Sequence, residues 1–346
     1  MENILYIRVD GNEQIGTGHI MRCLAIAETL RRNKTDVVFI VADTRSESLI
    51  LNKGFKTICL NTIWNKLDSE IEIIAQILVE ENIRKLLIDD YFVTENYLKR
   101  LSDLTNIFYI DDMNDFIYPV STVINCNFYA EDLNYIERYK HADLMTKFYL
   151  GPSFAPLRAE FIGLQHRKYH GLNKILITSG GTDKYNVIGN ILECLMNDSN
   201  FRTKDIYCIL GKFNFNQETL IKKYGLSDNV HLLSNVTNMS ELMLECDVCI
   251  TAGGTTVYEL CACGIPSIIY RIADNQIMCS DKLSEIKLIH CAGDVRYNMT
   301  GCLDNIVSEL MRLNNRKVWE SISYRMQEYV DGRGCERIAK ILLNSD

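Results

Sequence analysis

A histidine stands between a glycine-rich turn and a helical pattern in DGNEQIGTGHIMRCLAIAETL, residues 10–30, directly after the apolar run ILYIRV. An apolar strand, a tight loop carrying Gly16 and Gly18, and then a helix is the layout that cradles phosphate in many nucleotide-binding domains. Free main-chain N–H groups and the positive end of the helix dipole meet the anion there. Two common versions are excluded. No third glycine follows at the dinucleotide-site offset, and no Lys-Ser/Thr pair follows as in a P-loop. Instead His19 takes the place nearest to a bound ligand. Histidine ordinarily titrates near neutral pH, which suits a general base. Asp10 ends the strand, where its carboxylate is placed to orient His19 or to take a sugar amide. The alternative for His19 is a packing or capping role.

A second glycine-rich element follows the same plan in TAGGTTVYELCACGIPSI, residues 251–268. Gly253 and Gly254 let an anion approach a helix that opens with Thr255 and Thr256, and Glu259 lies one turn in, placed to accept both hydroxyls of a ribose. Read singly, Thr255 is an ordinary cap and Glu259 a solvated first-turn acid. The order strand, Gly-Gly, Thr-Thr, helix, Glu and then GIP into another strand is more specific than either part.

These loops need strands to carry them. Strands are predicted at 4–9, 37–42, 56–60, 85–90, 107–111 and 122–126, with helical spacing at 19–32, 69–81 and 94–103. Asp89, Asp90 and Tyr91 end the fourth strand, so one of them is expected to face the ligand. The pattern stops over 127–173 and restarts with strands at 174–181, 205–211, 230–234, 247–254 and 266–270. Continuous apolar strands separated by helices imply parallel sheets covered on both faces. The expected class is α/β: two Rossmann-like doubly wound domains facing a cleft. The first spans 1–160 with the histidine loop and the second 161–320. The helices of 321–346, broken at DGRG, pack back toward the first domain.

The chain has 346 residues and a formal charge of −8. No basic run is present to meet a nucleic-acid backbone, and no apolar stretch approaches the ~20 residues of a membrane span. No leader precedes the first strand, so a cytoplasmic protein is expected. Among the 13 cysteines, CDVC at 246–249 has metal-ligand spacing but lies in a strand, and no second pair answers it. No metal and no cofactor are expected.

The stretch RVDGNEQIGTGHIMRCLAIA resembles the UDP-2,4-diacetamido-2,4,6-trideoxy-β-L-altropyranose hydrolases of pseudaminic acid biosynthesis and their spore-coat polysaccharide relatives. The likeness continues in order through LIDDY, IDDM, NCNFYAEDLNY, GPSFAPLRAEF, SGGTD, AGGTTVYE and ADNQ. The resemblance implies a GT-B-like fold and His19 as the catalytic residue. Water attacks the anomeric carbon, UDP leaves, and configuration inverts without a metal. Asp10 is counted with His19 in catalysis, and so is Asn275, which matches the family's NQ asparagine and is expected near the sugar or the diphosphate, being otherwise the cap of the following helix. The implied substrate-binding set is Gly16, Gly18, Arg22, Tyr91, Gly180, Gly181, Gly253, Gly254, Thr255, Thr256, Glu259 and Gln276. The family often has IDHY where this chain has IDDY, which leaves Asp90 without a role, and Arg158 and Glu160 are likewise unassigned. A monomer is implied, in a pathway for flagellin, capsule or spore-coat glycoconjugates. The alternative is a GT-B glycosyltransferase. For a membrane-bound acceptor it needs an apolar and basic surface, which no stretch within 60–120 supplies.

Overall fold

The computed structural model describes residues 4–211 and 214–344. The chain divides into two compact units, Met1–Ala159 with Gly332–Asp346, and Glu160–Asp331.

In the first unit the elements run β1 (Ile4–Val9), α1 (Gly18–Arg32), β2 (Asp36–Val41), α2 (Glu47–Leu51), β3 (Lys56–Cys59), α3 (Ile71–Glu80), β4 (Lys85–Asp89), α4 (Glu95–Ser102), β5 (Asn106–Ile110), β6 (Thr122–Asn125), α5 (Tyr135–Tyr139) and β7 (Lys147–Leu150). The second unit continues with β8 (Lys174–Thr178), α6 (Val187–Asn197), β9 (Asp205–Leu210), α7 (Gln217–Tyr224), β10 (Val230–Ser234), α8 (Met239–Glu245), β11 (Val248–Ala252), α9 (Thr256–Cys263), β12 (Ser267–Arg271), α10 (Ile277–Glu285), β13 (His290–Asp294), α11 (Met299–Leu313) and α12 (Arg316–Tyr329). A last helix, α13 (Gly334–Asn344), returns to the first unit.

Both sheets are parallel and share one plan. Their orders are β3-β2-β1-β4-β5-β6-β7 and β10-β9-β8-β11-β12-β13. Strand order reverses between β1 and β4, and again between β8 and β11. At such a switch point the two following loops diverge to opposite faces and leave a crevice at the carboxyl ends of the strands. Near-continuous apolar strands need cover on both faces. In the first unit α1 and α13 supply one face, with Ile20, Leu24, Ile338 and Leu342 buried. Helices α3 and α4 supply the other through Ile74, Leu78, Tyr97 and Leu101.

Two strands escaped the periodicity reading. β7, KFYL, lies within the stretch read as strand-free; it is short, follows a charged loop, and is a strand because it pairs with β6. β13, HCAGD, lacks an apolar run and is held by β12. The C-terminal helices also part company. The expected boundary after residue 320 falls inside α12, whose Trp319 indole N–H donates to the Asp247 carbonyl at 2.7 Å within the second unit. Of the two C-terminal helices, α13 is the one that packs on α1. Its start lies so close to the backbone at Ala155 that a Cβ at Gly334 would meet that carbonyl at 2.0 Å. Its last carbonyls, Leu342 and Leu343, accept from Lys85 Nζ at 2.9 and 3.3 Å, a cation where the helix dipole favours one.

Candidate active site

The switch point of the first sheet sets Val9 beside Asp89 across the β1–β4 pair. Asp89 is fully buried, and its carboxylate gathers three nitrogen donors and the Cys23 thiol at 3.4 Å. His19, the second residue of α1, brings Nδ1 to 2.5 Å of Oδ1. Arg22, three residues on and therefore on the same helix face, brings Nη2 to 2.5 Å of Oδ1 and Nε to 2.6 Å of Oδ2. Burial alone raises the Asp89 carboxyl. The Arg22 guanidinium, and after it His19, outweigh burial and hold Asp89 well below the usual carboxylate range. Opposite an ionised carboxylate, Nδ1 of His19 carries the ring proton, which leaves Nε2 as the acceptor.

A second carboxylate completes the cluster. Arg22 Nη1 lies 3.1 Å from Asp112 Oδ2, and the same oxygen accepts the Tyr91 hydroxyl at 2.9 Å. Asn127 Nδ2 donates to Asp112 Oδ1 at 2.8 Å. The Tyr91 ring stands edge-on to His19, with centroids 4.4 Å apart. Burial, and then Asp112, push the Tyr91 phenol well up, so it remains a neutral donor. The imidazole is therefore fixed by a carboxylate at one nitrogen and an aromatic wall at its side. That arrangement suits a base that takes a proton from water. Gly16 has φ +75°, a left-handed turn that glycine adopts without strain, and a Cβ at Gly18 would meet nothing within 4 Å.

Asp10 is not the residue that orients His19. Its Oδ2 lies 2.6 Å from Arg8 Nη1, and its Oδ1 accepts the Ala42 N–H at 2.9 Å, so its carboxylate is spent on the β1–β2 scaffold. Arg8 is fully buried and also grips Glu70 with Nε at 2.7 Å and Nη2 at 2.9 Å. Asp90 is buried as well. Its Oδ1 takes the Phe92 N–H at 2.7 Å, which fixes the turn after β4, and burial pushes its carboxyl up to about 7.

In the second unit the loops after β8, β11 and β12 are neighbours because those strands are adjacent. Gly180 has φ +73°, and a Cβ at Gly180, Gly181 or Gly254 would meet nothing within 4 Å. The Gly253 N–H donates to Tyr270 O at 2.9 Å, which binds the second loop to β12. Thr255 precedes α9 but does not cap it with its side chain. Its exposed side chain stands at the start of α9, where main-chain N–H groups suit an anion. Glu259 stands in the first turn of α9. Gln276 is partly spent on structure, since its Oε1 accepts the Ile272 N–H at 2.9 Å. Asn275 sits exposed in the short 3-10 turn Asp274–Gln276. The structure thus groups His19, Arg22 and Tyr91 in one unit, and the Gly180, Gly253–Thr256, Glu259 and Asn275 loops in the other. Among the described residues no three His, Cys, Asp or Glu side chains are grouped to hold a metal ion.

Sequence reasoning missed Asp112 and left Asp89 as one of three residues of which one was expected to face the ligand. The paired acids at 111–112 end β5, the strand beside β4 in the sheet. That position was their signal. It also missed an apolar surface. Ile63, Tyr91, Phe92 and Met113 are 51%, 47%, 37% and 52% exposed, and they come from loops after three different strands.

Comparison with known proteins agrees with this architecture. MurG of Acinetobacter baumannii superposes over the whole of both chains with a TM-score of 0.72 at 12% identity. A glycosyltransferase from Rickettsia africae does so with a TM-score of 0.62 at 13% identity. The fold is GT-B. A family model described as glycosyl transferases group 1 matches residues 176–276. An uncharacterized protein of Methanocaldococcus jannaschii is 29% identical over 82% of this chain and 59% of its own length. The spore coat polysaccharide biosynthesis protein SpsG of Bacillus subtilis is 22% identical over 78% of each. The pseudaminic acid cytidylyltransferase and UDP-2,4-diacetamido-2,4,6-trideoxy-β-L-altropyranose hydrolase of Helicobacter pylori is 30% identical over 57% of this chain and 37% of its own length. The chain thus spans well under two thirds of two of these relatives. Among the described residues no helix is long and apolar enough to cross a membrane.

Proposed function

We propose that this protein hydrolyses a UDP-linked 2,4-diacetamido-2,4,6-trideoxy sugar, with His19 as the general base. The observation that carries the reading is the pair His19 Nδ1–Asp89 Oδ1 at 2.5 Å, which points the free Nε2 away from the scaffold. A water oxygen attacks the anomeric carbon while its proton passes to His19 Nε2. The bond from that carbon to the diphosphate oxygen breaks with both electrons, and UDP leaves. Attack opposite the leaving group inverts the centre. Main-chain N–H groups around Gly253–Thr256 would take the developing phosphate charge, and Glu259 would hold the ribose. Asn275 would sit close to the sugar or the diphosphate. Tyr91 and Arg22 would keep the imidazole in place, and the sequence likeness to the hydrolase of Helicobacter pylori supports the choice of substrate.

A second reading, a UDP-sugar glycosyltransferase, is favoured by the match of residues 176–276 to glycosyl transferases group 1. The two part on one experiment. Protein is incubated with the UDP-sugar and no acceptor, and free UDP is measured. The hydrolase releases UDP at its full rate, whereas the transferase releases it only when an acceptor hydroxyl is added. His19→Asn should lower this release by about 10²–10⁴-fold and leave UDP binding nearly intact. Loss of UDP binding in that variant would place His19 on the nucleotide and remove it as the base.

A further inference from the structure

An apolar surface adjoins Tyr91, the residue that stands against His19, and the scheme above gives it no task. Trp64, from the loop after β3, meets Phe92, from the turn after β4, edge to face with centroids 5.1 Å apart. Phe92 follows Tyr91 in the chain, and Tyr91 stands against His19. Arg45 lies over the Trp64 ring at 5.8 Å from its centroid while it pairs with Asp43. A soluble protein scatters single exposed apolar residues without consequence, but a contiguous group drawn from separate loops marks a binding surface.

The surface is also held in place. Thr62 pins the base of the Trp64 loop, its N–H to Ala42 O at 2.9 Å and its hydroxyl to Glu70 Oε2 at 3.0 Å. The Lys66 N–H closes the loop on Ile63 O at 2.9 Å. Thr94, just past Phe92, donates to Asp68 Oδ1 at 2.7 Å, which ties the two loops together. Asp90 fixes the Phe92 N–H. Glu70, which Thr62 uses, is the same carboxylate that Arg8 grips from β1. The platform and the end of β1, which leads into the His19 loop, therefore share one buried ion-pair network.

We propose that Trp64 and Phe92 bind the sugar half of the substrate, taking its C–H face against their rings. This rests on the reading of His19 as a centre acting on a sugar nucleotide. A pyranose with acetamido groups in place of two hydroxyls and a methyl in place of the hydroxymethyl presents a more apolar face than an ordinary hexose, and an aromatic platform selects for that difference. Arg45 adds a cation at the rim, where an acetamido oxygen has an acceptor to offer. Trp64 and Phe92 are thus specificity residues of the first unit.

The chain has two tryptophans. Trp319 is 1% exposed and lies in the other unit, so ligand-induced changes in indole emission report Trp64. Native protein and W64F, which keeps only Trp319, are titrated with a free 2,4-diacetamido-2,4,6-trideoxyhexose, with free N-acetylglucosamine and with free UDP. Expected is a change in emission with the trideoxy sugar, weaker with N-acetylglucosamine, and none with either sugar in W64F. W64A and F92L should each raise KM for the UDP-sugar by roughly tenfold and leave inhibition by UDP within about twofold. Unchanged emission with both sugars, together with an unchanged KM in W64A and F92L, overturns the platform even if UDP release is brisk. A sugar-dependent change in emission without any UDP release upholds the platform and instead defeats the hydrolase reading. A change in emission with phospholipid vesicles and none with sugar would overturn it in favour of a membrane-bound acceptor.

Discussion

Replacing Asp89 with asparagine tests the His19 centre with the least disturbance, because it removes a charge and almost no volume. In the native site Oδ1 accepts from His19 Nδ1 and from Arg22 Nη2, both at 2.5 Å, and Oδ2 accepts from Arg22 Nε at 2.6 Å. An amide offers one oxygen and one NH₂ group. In either orientation the NH₂ confronts a guanidinium N–H. The Nδ1 proton of His19 also loses its ionised acceptor, so the tautomer with a free Nε2 is no longer favoured. The expected loss of turnover is about 10²–10⁴-fold, the range for a mis-set histidine base. The fold should survive. Arg22 keeps Asp112 at 3.1 Å, so the cation is not stranded. The cost in stability should therefore lie below the ~3–5 kcal/mol of a broken buried pair, at about 1–3 kcal/mol. UDP release at saturating UDP-sugar, urea denaturation and calorimetric UDP titration on one preparation measure all three quantities. Turnover within about threefold of the native rate would refute the argument that Asp89 sets the base.

Three further outcomes follow from the same geometry. Tyr91→Phe removes the hydroxyl that Asp112 accepts at 2.9 Å but keeps the ring against His19; turnover should fall by about tenfold with little change in UDP affinity, as for one lost charge-assisted bond. Glu259→Ala should weaken UDP binding by about 1–3 kcal/mol, measured by calorimetry, and an unchanged affinity would take Glu259 out of the ribose site. For Asp90, burial raises the folded carboxyl from 3.8 to about 7, so across that window the folded protein holds a proton that the unfolded chain releases. Its contribution to stability is full below the unfolded value and is lost as pH rises through about 7; Asp90→Asn should accordingly flatten the fall of the urea midpoint between about pH 5 and about pH 8.

What the sequence made legible was local. Gly16, Gly18 and His19 lie at one loop-to-helix junction and Gly253 to Glu259 at another, so their spacing alone displays a glycine loop leading into a helix start. Strand periodicity likewise placed β1, β2 and β4 to within a residue, because parallel strands covered on both faces read as unbroken apolar runs. The His19 partner was another matter. Asp10 is nine residues from His19 and Asp89 is seventy away, and nearness in sequence favoured Asp10. The choice is made by strand order, which pairs β4 with β1 and sets Asp89 across from Val9, and by the buried Arg8, which captures Asp10. One local signal pointed the right way. His19, Arg22 and Cys23 recur at helical spacing, and all three touch Asp89. The Trp64–Phe92 surface had no such signal, since each ring is ordinary in its own loop and only the parallel sheet brings the loops together.

The shared strand order raises a last question for the proposed reading: why His19 in one unit should serve as base and Gly253–Thr256 in the other should meet the diphosphate, when each unit has a glycine loop and a helix start. Charge answers it. The start of α1 stands over Asp89 and Asp112, two carboxylates with Arg22 as the shared cation. With His19 neutral the cluster carries a net negative charge, which repels a diphosphate and stabilises an imidazolium as it forms. A base gains from that environment in the transition state, where a proton has moved onto the ring. In the second unit, the first acid in α9 is Glu259, a full turn inside the helix, and the glycines ahead of it leave the approach open. An anion there meets the dipole and N–H groups without a carboxylate in its way. The same architecture is thus tuned to opposite charges by the residues under the helix start. Exchanging the roles of the two loops would require moving Asp89 and Asp112 as well as His19.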